Sequence, residues 1–559
     1  MGADEFNLDA LEQPSRDPTL QSERMMYWMA EKLGASFSYQ RYVHCLINAI
    51  PRGNIIADTF QQDPAYLSTW FPGSEGGELF EVDDWFEFNN NSQVTREFNE
   101  NAQLLNYTTT GGAKKQARYR WSWEKKNYGN TGDSHQTIYD LVDALNQTDP
   151  ALYTQQVKAV VDIDSWMEDF AVRRIGTDWD GYGYYRGKNT FLYRPPGGKV
   201  HLALWDMDFS MGAGSRNFDA GLLTEINDPT LNNFYAHPEF SRVFYNILRQ
   251  AVDGPMTSAV FDPVADAHYQ TLVANGVPAT DPSAMKSWLQ SRRTYIINQI
   301  GAMSSPAFAI TTNGGADFST ASSAVTLAGT APIEVAGILV NGRPAALNWT
   351  STSAWSLTLY PVSGANPVTL TGVDRAGRPV PGMADAITVT YTGSNPQLAG
   401  NLVITEIHYN PLARSGFADT QLEFIELKNR GAASLSLSGV AFSAGITFAF
   451  APGSTLGPGQ FVVLASDTAA FSAVYSGVTP AGAYTGQLSN GGETVTLTDG
   501  LGGVITSVTY DDAAPWPLTP DGSGPSLVVV DPNPVPPQNN AAAWRASTNP
   551  HGSPGADDP

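Results

Sequence analysis

The feature that most constrains this chain is a change of texture near residue 305. A helix that packs on one face needs apolar residues every three or four positions, and a strand needs them every second position. Residues 1–304 hold the helical patterns, together with 25 of the 32 Lys and Arg and 38 of the 55 Asp and Glu. Residues 305–559 hold only seven basic residues, and their apolar positions alternate in short runs bounded by Gly, Pro, Asn and Asp. A chain that obeys the first rule and then the second is an α-containing domain followed by β domains. At 559 residues it is long enough for three.

Charge and composition exclude several classes. The formal net charge of −23 gives a field that repels phosphate backbones, so nucleic acid is not an expected partner, and an anionic membrane surface is disfavoured for the same reason. Charged residues make up 16%, while Gly (52) and Pro (37) are plentiful, which is the composition of short strands and many turns. The single Cys45 excludes an intrachain disulfide framework, a Cys-based zinc site and a CxxC redox motif. No apolar run is long enough to span a membrane. The first residues, MGADEFNLDALEQ, show neither a basic n-region nor an apolar h-region.

The periodicity predicts a helix over 18–34 ending at Gly34, two helices between His135 and Ile175 broken at Thr148-Asp149-Pro150, and further helices near 237–252, 263–275 and 281–303. Asp149 is placed as the cap of the second helix, with Pro150 in its first turn. Strands are expected at VTLAG, IEVAGILVNG, AWSLTLY, VTLTGVD and ITVTY. After a linker at 392–398 they resume at LVITEIHYN, LEFIELKN, FVVLAS, ETVTLTD and SLVVV.

The chemistry concentrates between Asp164 and Gly212. A helix ends near Ile175-Gly176, and a polar, Gly-rich loop then carries Asp178, Asp180 and Asn189. Two strands, NTFLYR and KVHLALWD, pair across Pro195-Pro196-Gly197-Gly198 and deliver Asp206 and Asp208. Carboxylates and an amide carbonyl are hard oxygen ligands suited to Mg²⁺ or Mn²⁺. Phosphoryl transfer of the protein-kinase type uses a loop Asp as base, an Asn further on, and a metal-holding Asp on the next strand. Here the Asp and Asn are nine apart, wider than in ordinary protein kinases. Taken alone, Asp180 equally suits an Asx turn, and Asp206-Met207-Asp208 equally suits Ca²⁺ or a turn cap. His44, His135 and His201 lack metal spacing and read as structural, and Lys114-Lys115 and Lys125-Lys126 read as a solvated face. No G-x-S-x-G elbow supports serine catalysis, and nothing beyond paired acids supports a glycosidase-type hydrolase.

WDGYGYYRGKNTFLY followed by LALWDMDFSMG resembles the paired blocks of the CotH kinase family. FNLDALEQ, DPTLQSERMMYWMAEKLG, SYQRYVHCLINAIPRG, IADTFQQDPAYLSTWFP, ELFEVDDWFEF, YRWSW and TIYDLVDALN extend the resemblance over residues 5 to about 303. It implies an atypical protein-kinase-like α+β fold, ATP with Mg²⁺ or Mn²⁺, and transfer of the γ-phosphate to protein hydroxyls. Carried onto this chain, Asp180 matches the catalytic loop Asp, Asp206 the metal-binding Asp with Asp208 beside it, and Asn189 the second metal-side ligand. Asp178 is a lesser candidate. Two departures stand out. Only six residues precede Asn7, where the family has upstream β structure and a phosphate-binding lysine, and Glu81 stands where relatives often carry a cation.

Residues 306–393 resemble bacterial Ig-like modules, in which Asn366 and Asp374 are expected in turns. Residues 400–555 resemble a lamin-tail domain, an Ig-like sandwich that serves as a binding or structural module. There Glu406, Glu423 and Glu426 cluster near the start, and alternation predicts that Glu423 and Glu426 do not both face the core. The expected organisation is therefore a kinase-like domain (1–304), a bacterial Ig-like β-sandwich (305–395) and a lamin-tail β-sandwich (396–559). The expected protein is a secreted or cell-envelope kinase whose signal peptide lies upstream of Met1, with a protein substrate and a cell-surface or extracellular partner for the lamin-tail module. The alternative is a non-catalytic binding, adhesion or scaffold protein with a pseudokinase domain.

Overall fold

In a computed structural model the described residues are 8–9, 16–83, 85–88, 96–99, 102–127, 132–303, 305–393, 397–531 and 538–559. The FNLDALEQ block and the 392–398 linker lie partly outside them. The chain divides into two compact units. The first holds 1–306 with 332–336 and 349–353, and the second holds the rest. The first mixes helices and sheets and the second is β-rich. Among the described residues, no helix is long and apolar enough to cross a membrane.

In the first unit, helix α1 (Ser22–Leu33) stops at Gly34, whose left-handed backbone (φ 91°) lets its N–H reach back to Ala30 and Glu31. Strands β1 (Gln40–Ile47) and β2 (Ile50–Thr59) form a hairpin. A four-stranded antiparallel sheet follows, in the order β4 (Trp123–Asn127), β3 (Glu78–Val82), β5 (Thr190–Arg194), β6 (His201–Leu204). Its alternating side chains divide between two cores. Phe80, Val82, Leu192, Leu202 and Leu204 join the large helical core, while Leu79, Phe191, Tyr193 and Ala203 pack against Tyr66 and Leu67.

The stretch His135–Ile175 forms three helices, not two: α2 (Gln136–Leu145), α3 (Pro150–Val160) and α4 (Ile163–Gly176). Asp149 caps α3 through the N–H groups of Ala151 and Leu152. The unforeseen break at Val161 arises because the chain there pairs with the hairpin: Val200 N–H donates to Val160 and Asp162 N–H donates to Val200. Asp162 then caps α4 at Ser165 N–H. Every residue of α4 from Trp166 to Gly176 is buried, so it lacks the polar face of a surface helix. Helices α5 (Pro238–Asp253), α6 (Ser258–Ala274) and α7 (Ser283–Gly301) follow toward the end of the unit. Helix α6 starts a turn before Pro263, the expected start, and gives up one backbone bond there because proline has no N–H.

In the second unit the strands Val325–Thr330, Gly337–Val340, Ala354–Leu359, Gly364–Val373 and Pro379–Tyr391 fall where alternation put them and form four- and five-stranded sheets. Asn366 is buried and holds a turn, accepting from Val362 N–H and donating to Gly364 and Val389 carbonyls. Asp374 accepts from the N–H groups of Ala376 and Arg378. Further on, a six-stranded sheet is centred on the antiparallel pair Leu402–His408 and Phe424–Asn429. All residues of both strands are buried.

That burial corrects the expectation for the glutamates. Glu423 and Glu426 do point in opposite directions, yet each is only 1% exposed, because both faces of this sheet are covered. Glu423 accepts from Tyr484 Oη (3.1 Å) and Leu488 N–H (2.9 Å). On the other side Glu406 and Glu426 are cross-strand partners, and the segment 552–558 lies over them. Ser553 N–H donates to Glu406 (3.0 Å) and Gly555 N–H to Glu426 (2.5 Å). Ser526 and Thr405 hydroxyls donate to Glu406 and Glu426. Ion pairs Lys428–Asp557 (2.7 Å) and Arg545–Asp558 (2.5 Å) complete the strap.

Candidate functional site

The site sits where α4, the loop 177–189 and the end of the β5–β6 hairpin meet the first turns of α1. Arg173 organises it from inside α4. Its guanidinium, 1% exposed, pairs with Asp169 (3.2 Å) and Asp178 (2.5 Å). It also donates to Thr190 Oγ1 (3.1 Å), to the Trp205 carbonyl (3.1 Å) and to the Asn189 carbonyl. One planar group therefore fixes the loop start, the loop end and the end of the hairpin. Gly181 makes this possible, since a Cβ there would lie 2.1 Å from the Arg173 guanidinium. No periodicity or spacing pointed to Arg173. The only signal was a doubled Arg in an otherwise buried helix.

The structure brings the five expected residues into this region. Asp178 is fully buried and committed to Arg173. Asp180, 5% exposed, faces the Asn189 side chain, whose amide donates to the Asp180 carbonyl (2.8 Å) and more distantly to Oδ2 (3.4 Å). That orientation leaves the amide oxygen as the atom Asn189 can offer a cation. Asp180 also pairs with Lys188 Nζ (3.0 Å) and Arg186 Nε (3.5 Å). Asp206 follows β6 by two residues and, like Asn189, adopts the left-handed backbone (φ 52° and 56°), a conformation uncommon outside glycine and tolerated best by Asn and Asp. Asp208 pairs with Arg16 (2.9 Å), which stacks on Phe209.

Two further residues were not foreseen. Glu23 and Tyr27, one turn apart on α1, receive the backbone after β6: Asp206 N–H donates to Tyr27 Oη (3.1 Å) and Met207 N–H to Glu23 (3.3 Å). Tyr27 Oη in turn donates to Glu23 (3.0 Å), and the Gln40 amide caps its other oxygen (2.7 Å). Helix α1 thus anchors the acid-bearing turn through the i, i+4 spacing of one face.

The electrostatics are those of carboxylates crowded together. Burial, then the charge of Asp206, pushes Glu23 up to about 7. Burial pushes Asp178 up to about 7 against the pull of Arg173. Asp208 is raised by burial and by Asp206, Asp178 and Glu23, with Arg16 opposing. Asp178 Oδ1 and Asp208 Oδ1 are buried without a hydrogen-bond donor. Carboxylate oxygens short of positive charge fit a hard divalent cation. Among the described residues no three His, Cys, Asp or Glu side chains form a ready-made cage. A metal that takes one or two carboxylates and completes its shell with phosphate oxygens and water suits such a centre.

The remaining expected residues resolve simply. His135 is buried against the Trp123 and Asp133 carbonyls, and His201 packs on Phe71. Lys125 is not on a solvated face. It is 5% exposed, pairs with Glu78 (2.5 Å) and lies over Phe80, because its strand packs that face into the helical core. Lys126 pairs with Glu81 (2.7 Å), so the acid at that position is matched by a cation of the neighbouring strand.

A mixed helix-and-sheet domain that gathers acids from a helix, a loop and a hairpin end, joined to a β-rich region, defines the class. The family described as CotH kinase protein matches residues 1–295, and the Lamin Tail Domain matches residues 395–512. The chain belongs to the CotH kinase protein family. No curated protein matches it. Among solved structures, a crystal structure of a DUF4876 family protein from Bacteroides thetaiotaomicron is similar over 36% of this chain and 86% of that one, at 11% identity and a TM-score of 0.18.

Proposed function

We propose that this chain is an atypical protein kinase of the secreted or cell-envelope kind. In this reading a protein-kinase-like domain is followed by an Ig-like and a lamin-tail sandwich, and the γ-phosphate of ATP passes to a protein hydroxyl. Family membership supports the class, and the observation that carries the chemistry is that Asp180, held to Asn189, and Asp206 both lie near the buried Asp178 carboxyl and raise it by their charge. Asp180 takes the acceptor hydroxyl's proton. The acceptor oxygen bonds to the γ-phosphorus as the bond to the β–γ bridging oxygen breaks, and ADP departs with that electron pair. Asp206 and the Asn189 amide oxygen are the residues that would hold Mg²⁺ or Mn²⁺, with Asp208 beside them. When bound, the ion neutralises charge on the phosphate oxygens. Arg173 and the Glu23–Tyr27 pair act as positioning groups. The lamin-tail module holds a cell-surface or extracellular partner.

One observation favours a second reading, a pseudokinase scaffold: Asp208 and Asp180 already carry ion pairs from Arg16 and Lys188. A thermal-shift titration with ATP, with and without Mg²⁺ or Mn²⁺, separates the two. At a hundredfold excess over Kd the ligand stabilises the folded state by about 2.7 kcal/mol. A metal-dependent shift that Asp206→Ala abolishes supports the kinase. A cooperative melt without a shift supports the scaffold.

A further inference from the structure

The nine-residue separation of Asp180 and Asn189 has a structural product. The intervening loop folds back on itself: Tyr185 and Arg186 N–H groups both donate to the Trp179 carbonyl (3.2 Å each), and Tyr182 N–H donates to the Lys188 carbonyl (2.9 Å). The rings of Tyr182 and Tyr184 are buried and root the loop in the core. The result is that Lys188 Nζ stands 3.0 Å from Asp180 Oδ2, with Arg186 Nε 3.5 Å from Oδ1. Both cations keep access to solvent, with side chains 25% and 20% exposed, while the Asp180 side chain is 7% exposed.

We infer that Lys188 is the group that binds the γ-phosphoryl of the nucleotide. The inference rests on the phosphotransfer reading and goes beyond it. A nucleoside triphosphate entering this centre faces Asp206 and Asp208, with the carboxyls of Glu23 and Asp178 behind them, and this crowding of acids calls for positive charge. Arg173 is buried and spent on Asp169, Asp178 and three neighbouring oxygens. Arg16 is spent on Asp208. Lys188 lies between solvent and Asp180, on a four-carbon stem next to Asn189. A γ-phosphoryl group beside Asp180 gives the ammonium a more highly charged partner than a single carboxylate. Its move to the phosphate oxygens leaves Arg186 facing Asp180 and puts the ammonium where it neutralises charge on those oxygens as the O–P bonds exchange. The lengthened loop thereby brings a phosphate-binding lysine from within the catalytic loop itself.

The test compares ATP and ADP binding to the full chain by calorimetry in Mg²⁺, because only ATP carries the γ-phosphoryl. Wild-type chain is expected to prefer ATP. Lys188→Met is expected to weaken ATP by about tenfold or more, the value of a charge-assisted hydrogen bond, while ADP affinity changes less than about twofold. Lys188→Arg is expected to restore most of the preference, and Lys188→Gln gives the same readout if the methionine variant fails to fold. If wild type prefers ATP and Lys188→Met weakens both nucleotides equally or neither, the inference is overturned and the kinase reading stands. If wild type binds neither nucleotide, both fall.

Discussion

Gly552→Ala tests whether the strap over the two central glutamates is a stability element of the β-rich unit. Gly552 has a φ of 81°, and a Cβ there would lie 2.2 Å from Glu406 Oε1, with Phe424 and Ser526 Oγ at 3.1 Å. The left-handed backbone alone costs an L-residue about 1–2 kcal/mol. The clash leaves two ways out. Either the strap lifts, which breaks the bond from Ser553 N–H, or the Glu406 carboxyl moves, which breaks that bond and the one from Ser526 Oγ, and the carboxyl concerned is 1% exposed. Leaving one buried polar group unsatisfied costs about 1–3 kcal/mol, so the total is about 2–5 kcal/mol. Because the chain holds more than one unit, native-state hydrogen exchange at the Ser553 and Gly555 amides is the suitable assay. The expected result is a matching fall in the opening free energy at these two amides. A change below about 1 kcal/mol there would refute the reasoning, since it would mean the strap carries no part of Glu406's environment.

Glu406 is raised to about 7 and Glu426 to about 8, both mainly by burial. A carboxyl with a raised folded-state pKa binds its proton more tightly when folded, so its contribution is complete below the ordinary value of 4.5 and is lost as pH rises through 7–8. The melting temperature of the β-rich unit should therefore decline from pH 5 to pH 8 in wild type. Glu426→Gln should flatten that slope, and an unchanged slope would remove Glu426 as a source of it. Arg173→Met strips the buried partner from Asp169 and Asp178 and should cost about 3–5 kcal/mol in the first unit. Calorimetric melting checks this, and a loss under about 1 kcal/mol would show that Arg173 is not the organiser of the site.

The helices of the first unit were legible because their signals are local. Gly34 and Asp149 mark ends that need no knowledge of the rest of the fold. Asp178, Asp180, Asn189, Asp206 and Asp208 were legible because one contiguous loop and hairpin carries them all. Glu23 and Tyr27 were not, since they reach the site from about 180 residues upstream and only the packing of α1 on the hairpin end brings them there. The break at Val161 was hidden for a related reason: it is caused by pairing with Val200, and not by any residue of its own. Glu423 and Glu426 misled because alternation says which face a residue takes and says nothing of what covers that face. Lys125 misled in the same way, as a charge that a core accepts once Glu78 is beside it.

The strand pair Leu402–His408 and Phe424–Asn429 lies at the middle of its sheet and is buried on both sides. It therefore has neither an edge nor a face to show to another molecule. Of this sheet, only the outer strands and the connecting loops offer a surface, and there a change of residue leaves the scaffold standing. A substitution in the central pair therefore acts on stability, whereas one at the rim spares it.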